Sequence, residues 1–275
     1  MDPSLRRLLF AGTVVLSVLI GFMAGVWFER NQSEPDGSTV GAPTSSPTGS
    51  VTIPVGSQTT QAGPVPTFVG PPITADGAIL RVGDQPVVPA AETAPCQALF
   101  TPGRLGTCGY VDMAGGRVAW VVEHVPGTFG DAFTVRILTF VPASGGWVER
   151  LAATDPQGEA WTGANVVAAD LTGDGLAEVM AGFRFRNAAR TLGYDVVLYP
   201  AGDVPRVAAH RGGLDQGSVA LGAGSLEEYA GLYPGGEPPC CPPSYRHDTI
   251  RYTEGLFRVV AETEVPTGQV PPSQL

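Results

Sequence analysis

The chain has 275 residues, 26 acidic against 16 basic side chains, a formal charge of -10 and a pI near 4.7. That balance argues against nucleic acid and anionic lipid surfaces as partners, since both select basic patches. Only 15% of residues are charged while Gly (37) and Pro (26) are abundant, which argues for turns, loops and linkers over helices. Every basic side chain is Arg; we read this as a coding bias without functional content.

Residues 1–7 form a short stub, and Leu8 to Phe28 an unbroken apolar run, LLFAGTVVLSVLIGFMAGVWF. As a helix rising about 1.5 Å per residue, such a run spans about 30 Å, the thickness of a bilayer's hydrocarbon core. It is longer than the apolar region of a signal peptide and lacks a small-residue cleavage site. The reading is a signal-anchor, with a cleaved signal peptide as the alternative. Arg6 and Arg7 precede the run, so the N-terminus is expected in the cytoplasm and the remainder outside, as a single-pass protein of the cell membrane. Gly21 and Gly25 form a small-xxx-small pair through which two copies could associate.

Residues 29–76 are rich in Ser, Thr, Pro and Gly. Such a composition buries too little apolar surface to offset ordering entropy, so a disordered linker is expected. A flexible chain of about 45 residues reaches roughly 35–40 Å, enough to lift a domain off the membrane.

From residue 77 to 265 short runs rich in Val, Ile, Phe and Tyr alternate with Gly, Pro and Asp turns. Strands are expected at 78–82, 118–124, 133–141, 147–152, 166–169, 178–186, 194–199, 207–210, 218–222, 249–252 and 256–262. Phe133–Phe140 alternates as a half-buried strand does. Ala143-Ser-Gly-Gly and Thr253-Glu-Gly read as hairpin turns. Leu226–Tyr233 is the segment with the best claim to a helix, though it also reads as a strand. The fold class is all-β, a compact and mostly antiparallel sandwich or roll; a partial propeller-like arrangement is the alternative. Residues 266–275 read as a flexible tail.

One stretch makes a specific chemical proposal. In Asp170-Leu-Thr-Gly-Asp-Gly-Leu-Ala-Glu178, oxygen-bearing side chains recur at Asp170, Thr172, Asp174 and Glu178, and the Leu176 carbonyl is a natural further ligand. A hard cation such as calcium takes six to eight oxygens, and a tight loop delivers them from alternating positions. Gly175 permits the sharp turn, because Gly takes positive φ without steric cost. The loop is not an EF-hand, since the twelfth position is Ala181 and the flanks are strand-like. It resembles the calcium loop of FG-GAP and VCBS-type repeats, found in integrin-type β-propellers and secreted bacterial proteins. The resemblance covers roughly residues 168–182 and occurs once. Thr172 and Glu178 depart from the more usual Asp or Asn, and from Asp. The resemblance implies calcium in a structural role; without metal the stretch is a tight Asp/Gly turn.

Cys96, Cys108, Cys240 and Cys241 all lie on the expected outer side, where disulfides persist. A direct bridge between the adjacent Cys240 and Cys241 closes a strained eight-membered ring. The expected bridges therefore join Cys96 and Cys108 each to one of the pair, for about 4 kcal/mol per bridge in the chain-entropy model. The Pro-Pro-Cys-Cys-Pro-Pro-Ser stretch at 238–244 also resembles a feature of uncharacterised secreted bacterial domains, and implies no activity.

No G-x-S-x-G, H-E-x-x-H, Walker-type or Rossmann motif is present. His124, His210 and His247 show no metal-ligand spacing. Glu227 and Glu228 are adjacent, so on a strand they face opposite sides, unlike a glycosidase pair. Among the aromatics Trp161, in the polar loop 158–163, is the candidate exposed binding residue. The composite expectation is a non-catalytic binding module of the cell envelope, its partner an envelope protein or glycan. An envelope hydrolase acting on glycan or peptide, and a purely structural domain, are the alternatives.

Overall fold

The structure, a computed structural model, describes residues 70–275 apart from Ala223. Three two-residue strands come first: β1 (Pro72–Ile73), β2 (Arg81–Val82) and β3 (Val87–Val88). Three antiparallel meanders follow. The first comprises β4 (Leu105–Met113), β5 (Gly116–Pro126), β6 (Asp131–Val141) and β7 (Gly146–Asp155), with β2 and β3 pairing on β7. The second comprises β8 (Trp161–Ala169), β9 (Glu178–Phe185), β10 (Leu192–Leu198) and β11 (Arg206–Leu214). The third comprises β12 (Ser218–Gly222), β13 (Ser225–Leu232), β14 (Ser244–Thr253) and β15 (Leu256–Pro266), with β1 on the edge of β15. The described residues are thus all-β; their helical turns are short 3-10 pieces at Cys96–Leu99, Pro142–Ser144 and Thr267–Gln269. Among them no helix is long and apolar enough to cross a membrane. The apolar run at 8–28, Gly21, Gly25 and the linker up to residue 69 lie outside the described residues.

The second sheet lies between the other two. On β9, Val179, Ala181 and Phe183 join the core shared with the first sheet, and Met180 joins the core shared with the third. On β10, Val197 faces the first sheet, while Tyr194, Val196 and Leu198 face the third. Successive strand side chains point to opposite faces, so a strand covered on both sides must be apolar throughout. That is why Val179–Phe183 on β9 and Val196–Leu198 on β10 read as continuous apolar runs. Each fully buried Val, Leu or Phe contributes about 1.5–3 kcal/mol relative to exposure.

The hairpins follow their turn chemistry. Between β14 and β15, Glu254 and Gly255 both take positive φ, 53° and 81°, the backbone twist that suits a two-residue hairpin. Between β6 and β7 the turn closes on Gly145 at φ 73°.

Several expectations are corrected. Of the two readings of Leu226–Tyr233, helix or strand, the strand is the one found, in β13. Ordered pairing begins before residue 77: Pro72 and Ile73 pair with Arg258 and Phe257. The tail is docked instead of frayed. Gln274 N donates to Val219 O (2.9 Å), Leu221 N to Gln274 Oε1 (2.8 Å) and Ser218 Oγ to Pro271 O (2.8 Å). The tail thereby occupies the free edge of β12, whose amides would otherwise lack partners. Leu275 packs on Gly182 and is buried.

The disulfide pairing also differs. Cys96 pairs with Cys108, their Cα atoms 5.9 Å apart, and Cys240 pairs with Cys241. The physical reason is the layering. Cys108 lies on β4 in the first sheet, while the 238–243 loop belongs to the third, with the second sheet between them. The bridge therefore staples the 3-10 turn at Cys96–Leu99 over the first sheet's outer face. There Leu99, Ala119, Val121, Leu138 and Trp147 form a separate small core.

Candidate functional site

The Asp170–Glu178 loop joins β8 to β9. Leu171 anchors it, buried at 2% exposure in the core between the second and third sheets. Gly173 and Gly175 both take positive φ, 79° and 85°, so the chain reverses twice without steric cost.

The loop's carboxylates hold its own amides. Asp170 Oδ1 accepts from Gly173 N (2.7 Å) and Oδ2 from Gly175 N (3.0 Å). Asp174 Oδ1 accepts from Leu176 N (2.8 Å). Glu178 folds back under the loop: Oε2 accepts from Leu171 N (2.7 Å) and Thr172 N (3.0 Å), and Oε1 from Thr172 Oγ1 (3.2 Å). Burial raises the Glu178 carboxyl above the usual range, against the lowering effect of the Leu171 and Thr172 amides. Asp174 and Leu176 are exposed at the tip. Among the described residues no three His, Cys, Asp or Glu side chains are grouped so as to hold a metal.

The loop forms one wall of a cleft of about 330 Å³ where one end of all three sheets meets. Thr172, Asp174 and Glu178 line it from the loop. Met113 and Ala114 come from the β4–β5 turn, Leu198 to Ala201 from the end of β10, and Tyr252 from β14. Gly115 places the first wall. Its amide donates to Tyr199 O (2.6 Å), and a Cβ there would lie 2.2 Å from the Tyr199 ring. Tyr252 is set by Phe257, the ring centroids 5.0 Å apart.

Sequence reasoning singled out the Asp170–Glu178 stretch as a metal-type loop, not as the wall of a cleft. It did not single out Tyr252 or Met113, and no local pattern marks them.

Trp161 is not an exposed binding residue. It is 5% exposed, and its ring centroid lies 4.8 Å from that of Phe183 in the core. Its polar neighbours mislead: the Asp155 carboxylate accepts from the amides of Glu159, Ala160 and Trp161, bends the connection, and starts β8 with the indole inward.

The histidines are paired one by one. His124 lies 3.8 Å from Asp131 on the rim of the first sheet. His247 contacts Glu227 at 2.8 Å and not its neighbour Asp248, which faces the interior. His210 meets the fully buried Asp195 at 2.7 Å. Glu227 and Glu228 point to opposite faces, as adjacent strand residues must: Glu227 bonds His247, Thr249 and Ser225, and Glu228 bonds Arg211 and Tyr194.

Fold and cleft together define an all-β domain of three antiparallel meanders with an acidic, aromatic cleft at one end. Comparison with protein-family models, curated proteins and solved structures gives no match.

Proposed function

We propose that the chain is a non-catalytic binding module, displayed outside the cell membrane by its N-terminal span, and that the end-on cleft is its binding surface. The observation that carries the reading is convergence. The one loop with distinctive chemistry lines the same cleft as Tyr199, from the end of β10 in its own sheet, and as Met113 and Tyr252, which reach it from the other two sheets. Loops gathered at one end of a rigid scaffold are where binding residues concentrate. Placement outside the membrane rests on the apolar run at 8–28 and the flanking arginines.

The consecutive antiparallel order within each meander supports the propeller-like arrangement over a two-sheet sandwich. The hydrolase alternative draws on two carboxylates, Asp174 and Glu178, in one concave site. Glu178 serves it poorly, because it is buried and its oxygens are held by Leu171 and Thr172.

Calcium belongs to the proposal as a structural ion of the loop. The oxygen-only donor set suits a hard cation, and a carboxylate oxygen that accepts one amide keeps a second lone pair. Asp170, Thr172, Asp174, Glu178 and the Leu176 carbonyl would hold it, and its chemistry would be to fix the loop that walls the cleft. Millimolar calcium is expected to raise the melting temperature of the full chain in detergent micelles, reversibly with chelator and not in Asp174→Ala, because a ligand of the folded state alone stabilises by mass action. An unchanged melting temperature would leave the loop a metal-free turn.

The binding reading is tested by fluorine NMR on the full chain labelled with 3-fluorotyrosine. Tyr199→Phe and Tyr252→Phe assign two of the seven tyrosine signals. At least one member of a panel of neutral, cationic and anionic fragments is expected to shift that pair and leave Tyr233 still. If no fragment moves the pair, the cleft is not the binding surface.

A further inference from the structure

We infer that the cleft selects an organic cation: an alkylammonium or guanidinium group on a short apolar stem. The inference rests on the cleft being the binding surface and names the class of ligand it takes.

Charge is the first argument. The lining includes the carboxylates of Asp174 and Glu178 and no Arg or His. Three guanidinium groups on the flanking strands are committed elsewhere, while Arg206, across from Leu198, and Arg251, beside Tyr252, are exposed and form no part of the lining. Arg211 and Arg246 pair with Glu228 and Asp248 in the interior, and Arg117 lies over the Tyr110 ring at 4.8 Å. With no calcium in the loop, the cleft's negative charge is therefore not neutralised by its own walls, and the chain's net charge of -10 adds to it. An anionic ligand would meet repulsion from both.

Availability is the second. Asp174 Oδ1 is held by the Leu176 amide, while Oδ2 accepts no hydrogen bond among the described residues. The side chain is exposed at the cleft wall, oriented by one bond and open at the other oxygen. Glu178 cannot take that role. It keeps the loop in shape and contributes field.

The third argument is the rest of the lining. Tyr199, Tyr252 and Met113 present two π systems and a thioether, and Leu198, Pro200 and Ala201 supply apolar surface. A cation over a Tyr face is attracted by the ring quadrupole, and a thioether adapts to an irregular ligand. A carboxylate and aromatic rings lining one cleft can together solvate an ammonium head in place of water, while the apolar residues take its stem. A neutral polyol would use the tyrosines and Asp174 but leave the uncompensated charge unused.

The test uses three four-carbon probes of nearly equal size on the full chain in detergent micelles, with chelator and at low ionic strength: n-butylammonium, n-butanol and butyrate. The readout is the fluorotyrosine signals of Tyr199 and Tyr252. Butylammonium is expected to shift both with saturation, at least fivefold more tightly than butanol, and butyrate to shift neither. Raising the ionic strength should weaken the ammonium and leave butanol unchanged, since salt screens exposed charge. Asp174→Asn should bring butylammonium down to the affinity of butanol. Because Asp174 is exposed at a loop tip, that variant is expected to keep the wild-type melting temperature. If butanol or butyrate binds the pair as well as the ammonium, the cationic class is overturned and the cleft stands. If none of the three moves the pair while another fragment does, the class falls alone. If no fragment of any kind moves it, both readings fall. An Asp174→Asn variant that binds butylammonium as tightly as wild type would also overturn the inference, since the charge it assigns would not be the one recognised.

Discussion

Replacing Asp195 by Ala is expected to cost about 3–5 kcal/mol, because it strips the partners from a buried charged network. Asp195 is fully buried on β10 and faces the first sheet. Oδ2 accepts from Ile79 N (2.8 Å) and Leu80 N (2.6 Å), and Oδ1 lies 2.7 Å from His210 Nδ1. His210 in turn donates its amide to Thr74 O at 2.8 Å. One carboxylate thus ties the lead-in segment around residues 74–80 to β10 and β11 and sets Leu80 into the core between the first two sheets. Alanine leaves two buried amides without an acceptor and the imidazole without its partner. Asparagine should recover part of the loss: its oxygen can serve both amides while its NH2 faces His210 in the tautomer that accepts at Nδ1. Urea unfolding of the full chain, with hydrogen exchange at Ile79 and Leu80, measures both. A cost below about 1 kcal/mol for Asp195→Ala, with those amides still protected, would mean that the lead-in is held by other contacts.

The strands were legible where side-chain pattern and burial agree. The alternation of Phe133–Phe140 appears as β6, with one face in each of two cores. β4 went unread because Gly106, Cys108 and Gly109 break its composition. Those glycines are required by their surroundings: a Cβ at Gly109 would lie 2.7 Å from the Trp120 indole, and one at Gly106 would overlap the Val122 carbonyl. Such close approach is a tertiary fact that no local pattern carries. The same holds for the cysteines. Pairing depends on which layer each occupies, and Cys96, Cys108 and the Cys240–Cys241 pair are equally apolar neighbours of turns in the sequence.

The site was half legible for a similar reason. Asp170 to Glu178 is contiguous, so its turn chemistry is written locally. Tyr199 and Tyr252 end strands of different sheets, and only the stacking of those sheets brings them to one cleft. Trp161 failed in the opposite direction. Its polar neighbours suggested exposure, whereas Asp155 consumes their amides and turns the indole inward. A polar loop composition is a statement about hydrogen-bond demand, and here the demand is met from within.

Arg211→Met is the second substitution with a large expected effect, a loss of about 3–5 kcal/mol at neutral pH. Arg211 Nε donates to Glu228 Oε2 (2.9 Å), and Nη2 donates to Glu228 Oε1 (2.5 Å) and Asp248 Oδ2 (3.0 Å) between the second and third sheets. The Tyr194 hydroxyl donates to Glu228 Oε2 at 2.9 Å, and burial, reinforced by Glu228, holds that phenol well above its usual range and so protonated. Glu228 is 1% exposed and Asp248 2%, and Asp248 Oδ1 has no hydrogen-bond partner. Methionine fills the space but leaves two buried carboxylates with only the more exposed Arg246 to balance them. Burial, with a contribution from Glu228, raises the Asp248 carboxyl above its usual range, while Arg246 and Arg211 oppose the rise. The sign follows. A carboxyl raised on folding contributes stability below its unfolded value of about 3.9, and that contribution is lost as pH rises through the folded value. Removing Arg211 raises the folded value further, so the deficit of Arg211→Met should be larger at pH 7.5 than at pH 4.5 in paired urea unfolding curves. Adding Glu228→Leu, Asp248→Leu and Tyr194→Phe removes the stranded groups and should restore most of the loss, since a buried ionic cluster replaced as a whole by apolar residues is often neutral. A deficit equal at the two pH values would assign the cost to packing. A combined variant no better than Arg211→Met would show that the network is needed as a unit to fit the two sheets together.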